Sequence, residues 1–275
     1  MVVAREAEAT DIDEHLRALF AHTADPAWLK AHGLFVAEGR LVTTRLLESP
    51  RFRTVALLLT PTAEAAMAPA LHGVSTDRRP YMVVVPSAEL DALTGFRLHQ
   101  GCVAFAERIS PDPWRPNATA RGLSVLLERV RDPDNVGSIA RSVAGLGGST
   151  LLLGPECADP FYRKAVRTSM GAVLSLPLFA AVPWPGVLAE ARDAGITLIA
   201  TVTDSSALLL DDVADQLGSG PAVLMVGSEG EGLSEQARDH AHVVARIPMA
   251  QAVDSLNVAV ATAIAVYALR RRERR

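Results

Sequence analysis

The sequence contains few residues of the kinds that mark metal, redox or secreted proteins. Its 275 residues include two cysteines, Cys102 and Cys157, which show no metal-binding or redox spacing. A disulfide framework is therefore not expected, and we expect no bound metal and a reducing, cytoplasmic location. The first residues, MVVAREAEATDIDE, are acidic and lack the apolar core of a signal peptide.

Long apolar runs and a net positive charge are also missing. The longest apolar run, Val258 to Leu269, is interrupted only by Thr262 and is too short to span a membrane, so it predicts a buried helix. The net charge of −4 excludes a globally basic nucleic-acid binder. The net charge does not exclude RNA binding, because a local basic face is enough to bind RNA. We expect neither a membrane nor DNA as a partner.

A length of 275 residues can hold one large domain or two ordinary ones, and about half of the residues are apolar, which is enough to form hydrophobic cores. The stretch RISPDPWRPNATARG, residues 108 to 122, carries three prolines and has no periodic pattern, which is typical of a linker. We therefore predict a first domain at 1–110, a linker at 111–120 and a second domain at 121–275.

The second part alternates between apolar strands and helical segments, which predicts a parallel sheet covered on both faces. The predicted strands are 124–130, 150–153, 197–202, 222–226 and 243–247, and the predicted helices are 137–145, 160–170, 186–194, 234–240 and one after 255. The first part also has an α/β pattern, with strands at VALLLT, YMVVVP and GCVAFAER and a helix from Gly39.

Three polar motifs follow predicted strands. The first is DPDNVGSIAR, in which Asp134 or Asn135 can cap the next helix. Asn135 and Arg141 are six positions apart, so they share no helical face if both are helical. If Asn135 lies in the loop, both can reach the carboxyl edge of the sheet, where α/β sheets bind ligands. A capped helix with a surface arginine is the alternative.

The second motif, LMVGSEGEGL, places Gly227, Gly230 and Gly232 after a buried strand. Glycines allow unusual backbone angles and close approach of a ligand. The spacing is not that of a dinucleotide fingerprint, and Glu229 and Glu231 would repel a pyrophosphate but not a cation. A tight strand-to-helix turn is the alternative.

The third motif is IPMAQAVDSLNVAVA, residues 247 to 261. Ser255 is the predicted N-cap of the last helix, with Asn257 in its first turn. Capping explains Ser255 but not Asn257, since asparagine is a poor helix former. Asp254 fits a solvated turn.

Read in this order, the three motifs resemble the SpoU (TrmH-like) branch of the SPOUT RNA methyltransferases over roughly residues 121–272. The part containing FVAEGRLVTTRLL and GFRLHQGCVAFAER is similar to the L30e-like substrate-binding domain that precedes many such catalytic domains. The resemblance implies an α/β fold with a C-terminal deep trefoil knot, a homodimer, and methyl transfer from S-adenosylmethionine to a ribose 2′-oxygen in rRNA or tRNA.

The resemblance also implies roles for individual residues. The residues that match the catalytic positions are Asn135, Arg141, Glu229, Ser255 and Asn257. Those that match the cofactor-binding positions are Gly227, Ile247, Met249 and Leu256. Arg141 is the family's assigned general base, but a guanidinium is effectively always protonated. We interpret it as a clamp on phosphate and developing negative charge, which leaves the base open.

Basic side chains suggest where RNA binds. The candidates are Arg40, Arg163, Lys164 and Arg167, and a solvated basic face is the alternative for the last three. Phe52, between two arginines, fits either base stacking or a core position. The terminal RRRERR fits an RNA-contacting or a solubilising end.

One residue departs from the family pattern. Many members have glycine where this chain has Gln251, so the geometry of the cofactor loop is in question. The leading interpretation is a 2′-O-ribose methyltransferase acting on rRNA. The alternatives are a tRNA methyltransferase, an RNA-binding protein with a degenerate methyltransferase domain, and a nucleotide- or NAD-binding α/β enzyme. The sequence does not specify the target nucleotide or any role in antibiotic resistance.

Overall fold

A computed structural model describes residues 9–98, 100–116, 122–218, 220–250 and 255–270. The chain divides into two compact units. The first comprises Met1–Ser110 and Phe161–Ser175, and the second comprises Pro111–Pro160 and Leu176–Arg275. Segment 161–175, which the sequence analysis assigned to the second domain, thus packs within the first unit. The predicted domain limits stay a prediction.

The first unit contains a mixed four-stranded sheet with helices around it. Its elements are α1 (Ala9–Phe20), α2 (Pro26–Ala31), β1 (Leu34–Glu38), α3 (Arg40–Glu48), β2 (Thr54–Leu59), α4 (Pro61–Gly73), β3 (Tyr81–Val84), α5 (Ser87–Thr94) and β4 (Cys102–Glu107), together with the helix at Arg163–Thr168. The strand order is β1-β4-β2-β3, and only the β2–β3 pair is parallel.

Aromatic side chains fill part of the core of the first unit. Phe35, Phe52 and Phe161 contact one another with ring centroids 5.4 to 5.5 Å apart. Phe52 is fully buried, so it occupies a core position and its ring is not available for base stacking. Phe161 brings the segment before the Arg163–Thr168 helix into this core.

The second unit contains an eight-stranded sheet in which every neighbouring pair is parallel. Its strands are β5 (Asp112–Pro113), β6 (Leu123–Glu128), β7 (Thr150–Leu153), β8 (Leu178–Ala180), β9 (Thr197–Thr201), β10 (Leu208–Leu209), β11 (Ala222–Gly227) and β12 (Val243–Arg246). The helices of the second unit are α6 (Pro133–Leu146), α8 (Gly186–Asp193), α9 (Leu210–Gln216), α10 (Glu235–Asp239) and α11 (Val258–Arg270). The label α7 is given to the helix Arg163–Thr168 of the first unit.

The strand order places a ligand-binding edge near the middle of this sheet. The order is β10-β12-β9-β11-β6-β7-β8-β5. The chain runs outwards from β6 through β7 to β8, then crosses to β9 and inserts β11 beside β6. Crevices at the carboxyl ends of strands form at such reversals of strand order. The α/β class and the parallel sheet are thus confirmed, while the knot and the L30e-like assignment stay predictions.

The strands and helices predicted for the second part of the sequence are present, and the elements that the sequence analysis missed are the strands of two or three residues and the seven-residue helix α9. Strands of two or three residues, such as β5, β8 and β10, carry too little sequence for a period to show. Part of the predicted linker is structured, because Asp112–Pro113 pairs with β8 and Trp114 is buried in the core of the second unit. Among the helices of the described residues, none combines the length and apolar content needed to cross a bilayer.

Candidate active site

The last helix is capped by Asn257, and the prediction that Ser255 is its N-cap is wrong. Helix α11 begins at Val258, and the Asn257 Oδ1 accepts hydrogen bonds from the backbone N–H of Ala259 at 3.0 Å and of Val260 at 3.3 Å. The carbonyl of Asn257 accepts from Ala261 N–H at 2.9 Å, as an N-cap carbonyl does. Capping therefore explains why an asparagine precedes an apolar helix, and it fixes the orientation of the amide.

The amide nitrogen of Asn257 points at the glutamate of the glycine-rich loop. Asn257 Nδ2 donates to Glu229 Oε1 at 2.8 Å. The same oxygen accepts from Asn135 Nδ2 at 3.2 Å and from the Val258 backbone N–H at 3.3 Å. All three donors are neutral, so they orient the Glu229 carboxylate without cancelling its charge.

Asn135 completes this group from the first turn of α6. The helix is capped by Asp132, whose side chain accepts from Asp134 N–H at 2.9 Å, and Pro133 occupies its first position. The prediction that Asp134 or Asn135 provides the cap is wrong, because the cap lies before Pro133. Asn135 is helical and only 8% exposed, and its Oδ1 accepts from Asn257 Nδ2 at 3.0 Å. The three motifs thus meet through these side chains.

Two cavities of the second unit share the wall that carries Glu229. The glycine-loop cavity, about 320 Å³, lies between the loops after β9, β11 and β12 and the start of α11. Its lining includes the predicted residues Gly227, Glu229, Ile247, Met249, Ser255 and Leu256. The arginine-side cavity, about 260 Å³, is lined by residues that include Arg129, Arg131, Asn135 and Glu229. Both volumes suit a small molecule or a single nucleotide.

The loop between the two cavities needs a glycine at 227. A Cβ atom there would lie 2.1 Å from the carbonyl carbon of Gly232, because the loop folds back through a bridge between Ser228 and Gly232. Glycine at this position permits a contact that any side chain would prevent. The compact loop presents Glu229 to both cavities.

Arginines attach this loop to the end of β6. Arg129 donates to Glu231 Oε2 at 2.6 Å and to the Gly232 carbonyl at 3.3 Å. Arg131 bridges Glu231 and Glu156 at 3.3 and 2.5 Å. The backbone of Arg129 has a φ of 57°, a strained left-handed conformation, and its Nε is a buried donor without an acceptor among the described residues. These contacts hold the glycine-rich loop against the end of β6.

Arg141 is not brought to this group within one chain. It lies on α6, six residues after Asn135, and at about 100° per residue the two side chains leave different faces of the helix. Arg141 is exposed, and it is not among the residues that line the two cavities. The condition under which Asn135 and Arg141 would share an edge, with Asn135 in the loop, is not met.

The predicted RNA-contacting residues lie in the first unit. Arg163 and Arg167 donate to the Glu38 carboxylate at 2.7 and 3.1 Å, and the Arg163 guanidinium also lies 4.2 Å from the centre of the Phe96 ring. Lys164 and Arg40 are exposed. Whether any of them contacts RNA stays a prediction. Gln251, Asp254 and the terminal residues 271–275 lie outside the described residues.

The two cysteine thiols are poorly suited to nucleophilic chemistry. Burial raises the pKa of Cys102 and that of Cys157 each to about 11, so both are protonated at neutral pH. Within the described residues there is no group of three or more histidine, cysteine or acidic side chains that could hold a metal ion. The chemistry of the site thus depends on carboxylate, amide and guanidinium groups.

Several residues of the site were missed from the sequence. They are the cap Asp132, the loop clamp Arg129, and two residues that line the glycine-loop cavity, Asp204 and Arg238. Asp132, Arg129 and Asp204 follow the strand ends of β6 and β9, so the rule that ligands bind at carboxyl edges could have identified them. Arg238 lies on α10, and no sequence pattern pointed to it.

Comparison with known proteins gives consistent matches. A family model described as the SpoU rRNA methylase family matches residues 122–267. A protein of Mycobacterium bovis named as a tRNA/rRNA methyltransferase is 39% identical over 236 residues, which is 85% of this chain and 80% of the relative.

Two solved structures resemble the whole chain. The SpoU methyltransferase AviRb of Streptomyces viridochromogenes, in complex with AdoMet, has a TM-score of 0.76 at 28% identity and covers 94% of this chain and 97% of its own. An AdoMet-bound rRNA methyltransferase of Sinorhizobium meliloti has a TM-score of 0.74 at 28% identity and covers 97% of both chains. With these matches and the three motifs meeting at one sheet edge, the chain belongs to the SpoU rRNA methylase family.

Proposed function

We propose that this protein is an S-adenosylmethionine-dependent RNA methyltransferase that modifies the 2′-oxygen of a ribose in ribosomal RNA. The observation that carries the proposal is the position of Glu229 in the wall between two cavities, with its charge uncancelled by neutral amide donors. A carboxylate in that position attracts a cation on one side. It also orients polar groups of a second reactant on the other side.

The glycine-loop cavity fits this cofactor. S-Adenosylmethionine has a sulfonium cation and no phosphate, so an acidic loop attracts it where it would repel a dinucleotide. Gly227, Ile247, Met249 and Leu256 would hold it along the cavity wall. Its chemical contribution is an electrophilic methyl group on a positively charged sulfur. The cofactor present in the AviRb and Sinorhizobium meliloti structures agrees with this assignment.

The arginine-side cavity fits the acceptor nucleotide. Arg129 and Arg131 line this cavity and are paired with Glu231 and Glu156, so they would contact an RNA backbone with only part of their charge. The amides of Asn135 and Asn257 and the hydroxyl of Ser255 would orient the ribose hydroxyl. Alignment of two bound reactants supplies a large part of the rate in such a displacement.

A homodimer belongs to the proposal, and Arg141 is the reason. Helix α11 exposes Val260, Ile264 and Tyr267 on one face, and Tyr267 is 50% exposed. An apolar stripe of this kind is typical of an interface, and a second copy of the chain fits it. In such a dimer, Arg141 of one subunit would act as a phosphate clamp at the site of the other. A C-terminal knot and a cytoplasmic location complete the proposal.

The choice of ribosomal RNA rests on the first unit. A separate α/β unit with exposed Arg40 and Lys164 suits a large folded substrate, and we assign it the role of an L30e-like RNA-binding domain. Arg163 and Arg167 are paired with Glu38, so they would contact phosphate with only part of their charge.

The test is methyl transfer from labelled S-adenosylmethionine to separate rRNA and tRNA fractions, with Arg141→Ala as the control. We expect label in rRNA, recovered as an alkali-resistant 2′-O-methylated dinucleotide and absent with the variant. Label in tRNA would contradict the substrate class, and label on a base would contradict the position of transfer. Mixed dimers of Arg141→Ala and Asn257→Ser should recover part of the activity if Arg141 acts across the interface.

A further inference from the structure

The charged residues around the glycine-loop cavity are unevenly distributed. Among the described residues that line it, the acidic side chains are Asp204, Glu229 and Glu231, and the single cationic side chain is that of Arg238. Glu231 is paired with Arg129 and Arg131, and Glu229 is held by amides beside the second cavity. Asp204 and Arg238 are therefore the charged residues of this cavity that the transfer chemistry leaves without a role.

Asp204 is held in place by its own loop. Its Oδ1 accepts from the backbone N–H and from the hydroxyl of Ser206, both at 2.9 Å. These two hydrogen bonds are the main reason why the pKa of Asp204 is lowered, and the nearby charge of Arg238 lowers it further. The carboxylate is thus ionised and fixed at neutral pH. Its Oδ2 makes no hydrogen bond to any described residue.

Arg238 is placed by a short capped helix. Ser234 caps α10 by accepting from Ala237 N–H at 3.1 Å, and the backbone N–H of Arg238 bonds to the Ser234 carbonyl. Within the described part of the chain, its guanidinium makes no hydrogen bond and no salt bridge, even with Asp204, whose charge it influences. Two opposite charges thus border one cavity without neutralising each other through direct contact.

The proposed cofactor has a matching pair of charges. Its amino-acid end has an α-carboxylate and an α-ammonium group, while its adenosine is uncharged. We infer that Arg238 and Asp204 form the subsite for this end, in which Arg238 binds the carboxylate and Asp204 binds the ammonium group. The inference rests on the proposed function. A guanidinium binds a carboxylate through two parallel hydrogen bonds, which makes Arg238 a determinant of cofactor selection.

The assignment also orients the cofactor. With the amino-acid end at Asp204 and Arg238, the cationic sulfur would be left for the carboxylate of Glu229, which lines the same cavity. Gly227, Ile247, Met249 and Leu256 would then hold the adenosine. This orientation agrees with the proposed direction of transfer.

The test uses three ligands that differ only at the amino-acid end, in calorimetric titrations of the full-length protein. S-Adenosylhomocysteine has both charged groups, decarboxylated S-adenosylhomocysteine keeps only the amine, and 5′-methylthioadenosine has neither. The variants are Arg238→Gln and Asp204→Asn. The control is Arg79→Gln, which removes an exposed guanidinium in the first unit from a residue that does not line the cavity.

A specific pattern is expected. Arg238→Gln should weaken S-adenosylhomocysteine binding about tenfold, the loss typical of one charge-assisted hydrogen bond, and leave methylthioadenosine binding unchanged. It should not weaken the decarboxylated ligand, which has no carboxylate and carries like charge. Asp204→Asn should weaken both amine-containing ligands and leave methylthioadenosine unchanged. The Arg79 control should match the wild type with all three ligands.

Other patterns would overturn the inference. If Arg238→Gln weakens S-adenosylhomocysteine and methylthioadenosine equally, Arg238 supports the cavity wall and does not contact the carboxylate. If it weakens neither, the amino-acid end binds elsewhere. If the wild-type protein binds none of the three ligands, the proposed function itself fails, which is a result distinct from either of the others.

Discussion

Two glutamates, one in each unit, show how the same side chain can serve different purposes. Glu38 in the first unit is 11% exposed and is bound by two guanidinium groups, those of Arg163 and Arg167. Glu229 in the second unit is bound by two side-chain amides and one backbone N–H. Cationic partners cancel the charge of Glu38, whereas neutral partners leave that of Glu229 available to a ligand.

The comparison separates a structural carboxylate from a functional one by the charge of its donors. Glu38 attaches α7 to β1 within the first unit, and it borders neither of the two cavities of the second unit. Glu229 borders both. A carboxylate held in place by neutral donors beside a cavity is preorganised for a cation without reorganisation when the ligand binds.

The largest expected effect concerns turnover. Asn257→Ser keeps an oxygen that can cap α11 but removes the amide that donates to Glu229 and Asn135. We expect methyl transfer to fall about 100-fold or more, as for loss of one preorganised donor in other enzymes, with a largely unchanged melting temperature.

The matched control for that variant is Asn257→Ala, which removes both the donor and the cap. It should show the same loss of turnover and an additional loss of about 1 kcal/mol in stability. Wild-type turnover in Asn257→Ser would show that the hydrogen bonds around Glu229 are merely structural.

The next effect concerns local stability and applies the comparison directly. Glu38→Gln leaves two guanidinium groups without a carboxylate and should destabilise β1 and α7 by about 1–3 kcal/mol. Glu229→Gln keeps an oxygen for the same neutral donors and should cost less. Hydrogen–deuterium exchange of peptides covering β1 and α7, and of those covering the start of α11, measures both. Equal losses of stability in Glu38→Gln and Glu229→Gln would contradict the distinction between a structural and a functional carboxylate.

The smallest expected effect is a dependence of local stability on pH. It concerns His242, which, like Glu229, accepts a hydrogen bond from a neutral donor. His242 Nδ1 accepts from the Leu198 backbone N–H at 3.0 Å, and burial, followed by the nearby Arg192, lowers the pKa of His242 below its usual 6.5. The folded protein therefore favours the neutral imidazole. The stability this hydrogen bond provides is present above pH 6.5 and is lost as the pH falls through the lowered value.

This pH effect can be checked by measuring how strongly the Leu198 amide is protected from hydrogen exchange between pH 8 and pH 5. The control is His242→Asn, because asparagine does not titrate in this range. Protection should fall in the wild type and stay level in the variant, after correction for intrinsic exchange. Wild-type protection that stays level or rises on acidification would contradict the acceptor role assigned to Nδ1 of His242.

The sequence predicted the parallel sheet and most of the group around Glu229, for identifiable reasons. The strands β6, β9 and β11 have buried apolar runs of five or six residues. The motifs follow the carboxyl ends of β6, β11 and β12, where side chains from distant parts of a chain meet. Asn135, Glu229 and Asn257 could be grouped because they followed such strands.

The rest required three-dimensional information. The cap of α11 is Asn257 and not Ser255, a shift of two residues that sequence cannot fix because both side chains are good caps. The pairing of Arg163 and Arg167 with Glu38 joins residues more than 120 positions apart. Arg238 lies on a five-residue helix with no motif, so only the cavity reveals it.

The central claim is that the charge of Glu229 recognises the positive charge of the cofactor. The most direct test is to measure the affinities of S-adenosylmethionine and of the uncharged-sulfur S-adenosylhomocysteine for wild type, Glu229→Gln and the control Glu38→Gln. We expect Glu229→Gln to weaken S-adenosylmethionine binding about tenfold more than S-adenosylhomocysteine binding, and Glu38→Gln to leave their ratio unchanged. An unchanged ratio in Glu229→Gln would contradict the account.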